Sequence, residues 1–176
     1  MIKRKSKAGG FTMVELLVAM VILTVAILGS TLLVLIGMQR NNANRVDTTA
    51  TNAAQAVLEA IAGTQANSDP TLTITDCLGN NLSITTAAGG APLITTDPFA
   101  GNIDFSQAAV NGYQINYTVC GNNGLTTVYD VRWRVNAIGA NKYGKLVTVA
   151  ASQNSVANGR GFSRLLPVTL RTVVGI

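Results

Sequence analysis

Residues 11–38 read FTMVELLVAMVILTVAILGSTLLVLIGM, and nothing after Glu15 in that stretch carries a charge. The uncharged run from Leu16 to Met38 is 23 residues long. At ~1.5 Å of rise per residue it crosses a ~30 Å hydrocarbon layer with some tilt, so a membrane-spanning helix is expected. The helix need not stop there. Residues 39–62, QRNNANRVDTTATNAAQAVLEAIA, lack proline and glycine and place Val46, Ala50, Ala53, Val57, Leu58 and Ile61 at amphipathic three-and-four spacing. One helix from about Thr12 to Ala62 is therefore expected, stopped by Gly63 and by Asn67-Ser68-Asp69-Pro70.

Working outward from the span, the charge lies on one side. Lys3, Arg4, Lys5 and Lys7 precede it, and only Arg40 and Arg45 follow closely. That bias places the N-terminus in the cytoplasm and the bulk of the chain outside. The net charge is +5, and it drops to +1 when residues 1–10 are set aside. The remainder is nearly neutral, which argues against a broad phosphate-binding face and a nucleic-acid partner. A cleaved secretory signal also has a basic start, but its apolar core is shorter and ends in a small-residue site. Here the only candidate processing site, Gly9-Gly10, lies before the apolar run.

Composition narrows the chemistry further. In 176 residues there is no histidine, so the commonest general base and neutral metal ligand are missing, and an enzyme is not expected. No P-loop, GxSxG or dinucleotide fingerprint is present, and no cofactor is expected. Cys77 and Cys120 are too few and too far apart for a zinc site. In an oxidising compartment they form a disulfide closing a loop worth roughly 4 kcal/mol; otherwise they are two separate buried thiols, and spacing alone leaves both open.

The basic leader, the Gly10-Phe11 junction, FTMVELLVAMVIL and the continuous helix resemble the N-terminus of type IV pilins and pseudopilins. AILGSTLL and TTATNAAQAVLEAI look most like PilV-type (pilus-modification) minor pilins. The resemblance covers about residues 1–62. It implies that a membrane prepilin peptidase cuts between Gly10 and Phe11, removes the leader 1–10 and N-methylates the Phe11 amine. It also implies that Glu15 is the assembly carboxylate, pairing with a neighbouring subunit's N-terminal amine. Read from the residues alone, Thr12-x-x-Glu15 is a capping box, and the two roles are compatible. Unlike many major pilins, this span has no proline; only Gly29 and Gly37 could loosen it.

Beyond Pro70 the composition turns to threonine, asparagine, glycine and β-branched residues, with turn signals at Gly79-Asn80-Asn81, Gly89-Gly90, Asp97-Pro98 and Asn158-Gly159. Residues 112–139 read as a hairpin: Tyr113, Ile115, Tyr117 and Val119 alternate, GNNG turns, and Leu125 to Val135 alternate again. Strands are also expected at 144–150 and 163–174, with Pro167 at an edge or a strand start, and shorter ones near 71–75 and 82–86. A four-stranded antiparallel sheet would cover the apolar stripe of the helix. The expected fold is α+β, a pilin-like lollipop: transmembrane and assembly half 11–38, amphipathic half 39–62, β-rich domain 63–176.

Three weaker patterns remain. Arg132 and Arg134 beside Trp133 could meet single-stranded nucleic acid, but a solvated outer face is favoured. Asp97, Asn102 and Asp104 offer oxygens in a glycine-containing loop, but a plain turn is favoured over a calcium site. Asn81-Leu82-Ser83 and Asn116-Tyr117-Thr118 are formal glycosylation sequons. The expected protein is a minor pilin in the bacterial inner membrane, single-pass with a periplasmic C-terminal domain, and later in an extracellular pilus. Its expected partners are prepilin peptidase, other pilins or pseudopilins, the inner-membrane assembly platform and lipid. The alternatives are a minor pseudopilin of a type II secretion system and a DNA-uptake pilin.

Overall fold

The computed structural model describes residues 10–121, 126–139, 144–154 and 166–175, apart from the side chains at 42 and 43. The expected leader, the greater part of the GNNG turn with Leu125, the Asn158-Gly159 turn and the first part of the 163–174 strand lie outside these residues. Among the described residues one helix, α1, spans Met13–Ala62, and seven strands follow: β1 (Thr71–Thr75), β2 (Asn81–Thr85), β3 (Gly89–Gly90), β4 (Gln114–Cys120), β5 (Thr126–Ile138), β6 (Gly144–Gln153) and β7 (Val168–Gly175). The chain divides at Asn42 into two compact units.

In the first unit the helical residues from Met13 to Met38 leave their apolar side chains exposed, as a span packed against nothing of its own must. Its hydroxyls are satisfied internally. Thr24 donates to the Val21 carbonyl at 2.8 Å, and Ser30 and Thr31 both donate to that of Ile27, at 2.9 and 2.8 Å. Polar groups bonded within the helix cost little in hydrocarbon.

In the second unit the helix turns one narrow stripe to a sheet. Ala50, Ala53, Ala54, Val57 and Ile61 are buried with Tyr129, Val131, Trp133 and Val135 of β5 and Val147, Val149 and Ala151 of β6. Alanines at the contact let helix and sheet backbones approach closely, and β-branched residues suit the half-buried strands. Trp133 is fully buried, and its indole N–H donates to the Thr85 carbonyl at 2.8 Å, so no donor is left unmatched. The Tyr129 hydroxyl reaches the Val46 carbonyl at 3.4 Å, and burial raises its pKa above the ordinary phenol value.

The main sheet has five strands rather than four, all antiparallel: β5 pairs with β6, β6 with β7, and β3 and β4 pair with the other side of β5. Gly89-Gly90, expected as a turn, forms β3. A Cβ at Gly90 would lie 2.4 Å from the Trp133 carbonyl oxygen, so only glycine lets the chain come this close. β1 and β2 make a separate two-stranded sheet, with Ile84 in the core and Leu72, Ile74 and Leu82 packed against it. Cys77 and Cys120 are joined, with Cα atoms 5.8 Å apart, tying the β1–β2 turn to the end of β4.

Lys145 is fully buried at the inward register of β6, alternating with Val147 and Val149. Its Nζ donates to the Ser68 carbonyl at 2.6 Å, Asp69 Oδ1 at 2.8 Å and the Thr86 carbonyl at 3.2 Å. Three acceptors match the three ammonium protons, which makes its burial tolerable and fastens the helix-to-β1 connection to the sheet.

The β1–β2 turn is organised by Asp76, whose side chain accepts from Asn80 Nδ2 at 2.9 Å and from the Asn80 and Leu78 amides at 2.9 and 3.0 Å. These bonds, the Asn80 side chain first, hold its pKa below the usual carboxylate value despite partial desolvation. Asp104 is lowered in the same way, chiefly by the Ser106 hydroxyl and amide. A folded pKa below the unfolded one means stability that is complete above about pH 4 and lost as pH falls through the folded value. The thermal midpoint of the detergent-solubilised chain is therefore expected to stay level between about pH 7 and 5 and to fall below about pH 4. Asp76→Asn should flatten that acid limb; an unchanged limb would contradict this account of the turn.

Candidate processing and assembly site

The site is built on the first turn of α1 and the residues just before it. Gly10 is exposed, and a Cβ placed on it would have no atom within 4 Å. Nothing in the described fold demands glycine at this position. Phe11 follows with 83% exposure. A peptide bond between a bare glycine and an open aromatic residue, just ahead of a helix, is accessible to a protease. Gly9, the other expected processing residue, lies outside the described residues.

Thr12 starts the helix. Its carbonyl accepts from the Leu16 amide at 3.2 Å, and its Oγ1 accepts from the Glu15 amide at 3.3 Å, which is the threonine half of the capping box. Glu15 sits in the first helical turn, where the helix dipole favours a negative charge. It is exposed and has no ion-pair partner among the described residues. Glu15 is the last charge before Arg40, and exposed aliphatic side chains surround it on the helix. In hydrocarbon a lone carboxylate costs several kcal/mol unless a cation accompanies it.

The other patterns singled out in the sequence lie in the β-rich unit. Arg132 and Arg134 do not form a solvated outer face. Arg132 pairs with Asp130 at 2.8 Å, donates to the Gln107 carbonyl at 2.8 Å and lies over the Phe105 ring at 4.9 Å, with its side chain 11% exposed. Arg134 donates to Asn136 Oδ1 and to the Ala91 carbonyl. Trp133 points the opposite way, into the core, so the three residues make no stacking platform. The cover comes from residues 91–107, distant in sequence, which is why local reading missed it.

Among the described residues no group of three or more His, Cys, Asp or Glu side chains could hold a metal, Asp97 and Asp104 included. Asp97 precedes a cis proline, Asn102 accepts from Arg171 at 3.0 Å, and Asp104 caps Ser106. Sequence reasoning also passed over Lys145, although its parity with Val147 and Val149 already set it on the inward face.

Residues 5–31 match the family model described as the Prokaryotic N-terminal methylation motif. The match encloses Gly10, Phe11, Thr12, Glu15 and the apolar span as far as Thr31. It supports a class III signal of the kind carried by type IV pilin-like and pseudopilin proteins, and with it prepilin peptidase processing and assembly with pilins. The exposed apolar helix fits an inner-membrane anchor. No curated protein and no solved structure matches the chain.

Proposed function

We propose that this chain is a minor pilin: a structural, non-catalytic subunit that is held in the inner membrane, trimmed by prepilin peptidase and built into a type IV pilus. The observation that carries the reading is an order that begins in the matched segment and runs past its end: Gly10-Phe11, then Thr12 and Glu15 at the helix start, then 23 uncharged residues to Met38. Cutting after Gly10 removes all four leading basic charges and frees an amine four residues before Glu15. N-methylation leaves that amine basic, so it remains a cation.

In a bundle of such helices the Phe11 amine of one subunit meets the Glu15 carboxylate of the next. Each neutralises a charge that lipid would reject, and a pair that forms in only one axial offset sets the stagger between subunits. The uncharged residues behind them supply the apolar contact. The likeness of AILGSTLL and TTATNAAQAVLEAI to PilV-type sequences supports a minor, pilus-modifying role.

Filaments sheared from cells producing a tagged chain test this reading. The tag is expected in the sheared fraction, substoichiometric to the major subunit. A chain that stays in the membrane, with its deletion abolishing protein secretion while leaving surface filaments intact, would instead identify a pseudopilin of a type II secretion system.

A further inference from the structure

β7 is the last strand of the main sheet, and among the described residues no strand pairs with its outer edge. The ladder shows which backbone groups face outward. The Asn154 amide bonds to the Val128 carbonyl, so the even-numbered residues of β6 are bonded to β5 and the odd-numbered ones face β7. Their partners Val168, Leu170, Thr172 and Val174 therefore close the β6–β7 ladder. Thr169, Arg171, Val173 and Gly175 turn four amides and four carbonyls outward, and no described residue bonds to them.

Natural sheet edges are usually blocked by lysine, inward charges, bulges or a covering segment. β7 has an unbroken register over eight residues, and its single charge is Arg171. Leu166 and Val173 are 76% and 63% exposed, and Val168 and Leu170 are only partly buried. Arg171 is exposed at the middle of this edge, bonded to the neutral Asn102 and facing no carboxylate among the described residues.

We propose that β7 is an acceptor edge for an extended segment of another protein, which adds a strand bearing alternating apolar side chains on the helix-facing side and a carboxylate opposite Arg171. Backbone bonds to the four outward residues give the affinity, and the Arg171 pair fixes the register. A second copy of β7 is a poorer occupant, since VTLRTVVG has no carboxylate to set against Arg171. The inference stands on the sheet edge and is independent of the filament role.

The test uses the full chain in detergent micelles and the capped peptide TVTVEVTVT, with the same peptide carrying lysine for glutamate as comparison. The glutamate peptide is expected to slow hydrogen exchange at the amides of Thr169, Arg171, Val173 and Gly175, leaving the already bonded even-numbered amides unchanged. It should bind about fivefold more tightly than the lysine peptide, and Arg171→Glu should reverse that order. Val173→Pro removes an outward amide only, so it should abolish binding without shifting thermal unfolding. No new protection at the four amides, equal affinity for both peptides with the native chain and with Arg171→Glu, or protection that arises from self-association without peptide would overturn the proposal.

Discussion

Glu15→Ala is expected to be cut by prepilin peptidase at the normal rate, to accumulate in the membrane and to be almost absent from sheared filaments. The cut, between Gly10 and Phe11, is separated from Glu15 by four residues on a segment that is already open, and Glu15 itself makes no side-chain ion pair among the described residues. Its removal therefore leaves both the folded chain and the peptidase site intact. In the filament the proposed pairing makes the loss different: the neighbouring Phe11 amine would stay buried without a counter-charge. Breaking a buried pair by removing one member costs about 3–5 kcal/mol, a factor of about a hundred or more in incorporation. Thr12→Ala is the control that separates the two roles of this turn. It removes the cap seen at Thr12 Oγ1, worth about 1 kcal/mol, and leaves the carboxylate, so incorporation should persist. If Glu15→Ala enters filaments normally, the assembly role of the glutamate is refuted.

The second large effect is expected at Gly10. A Cβ built there has nothing within 4 Å among the described residues beyond its chain neighbours, so the described fold gives no reason for the substitution to matter. Gly10→Val should nevertheless retain the leader, seen as a heavier band in an immunoblot of membranes. The four basic residues kept on that leader would hold the N-terminus at the cytoplasmic face, and no free Phe11 amine would exist to pair with Glu15. Filament incorporation should then fall as far as in Glu15→Ala, but for a different reason. Mature-length protein from Gly10→Val would refute the cleavage assignment.

Much of the architecture was legible in the sequence where periodicity carries the information. The stripe from Val46 to Ile61 sits on the sheet as its spacing required, with Ala54 added to it, because an amphipathic face has only one way to turn inward. The β4–β5 hairpin follows from alternation, which the pleat imposes, and the pairing of Ile115 with Val131 realises it. What lay outside reach was long-range. β3 consists of two glycines, which show no alternation, and its place beside β5 exists only once Trp133 and Arg134 are there to pack against. The arginines beside Trp133 looked solvent-facing by parity, yet the segment carrying Phe105 and Gln107 folds over them. The distance between Cys77 and Cys120 likewise depends on β1–β2 docking beside β4, which a 43-residue separation does not encode. At the N-terminus the methylation motif over residues 5–31 and the Thr12 cap were legible because both are local signals, confined to the helix start and the residues beside it.

The most direct measurement is the mass and first residue of the mature chain, taken from membranes in which it is produced together with prepilin peptidase. The account predicts a chain that starts at Phe11, carries one added methyl group on its amine and keeps the whole apolar span. A chain that still starts at Met1 in the presence of active peptidase, or one that starts beyond Met38 after a conventional signal cut, would contradict it.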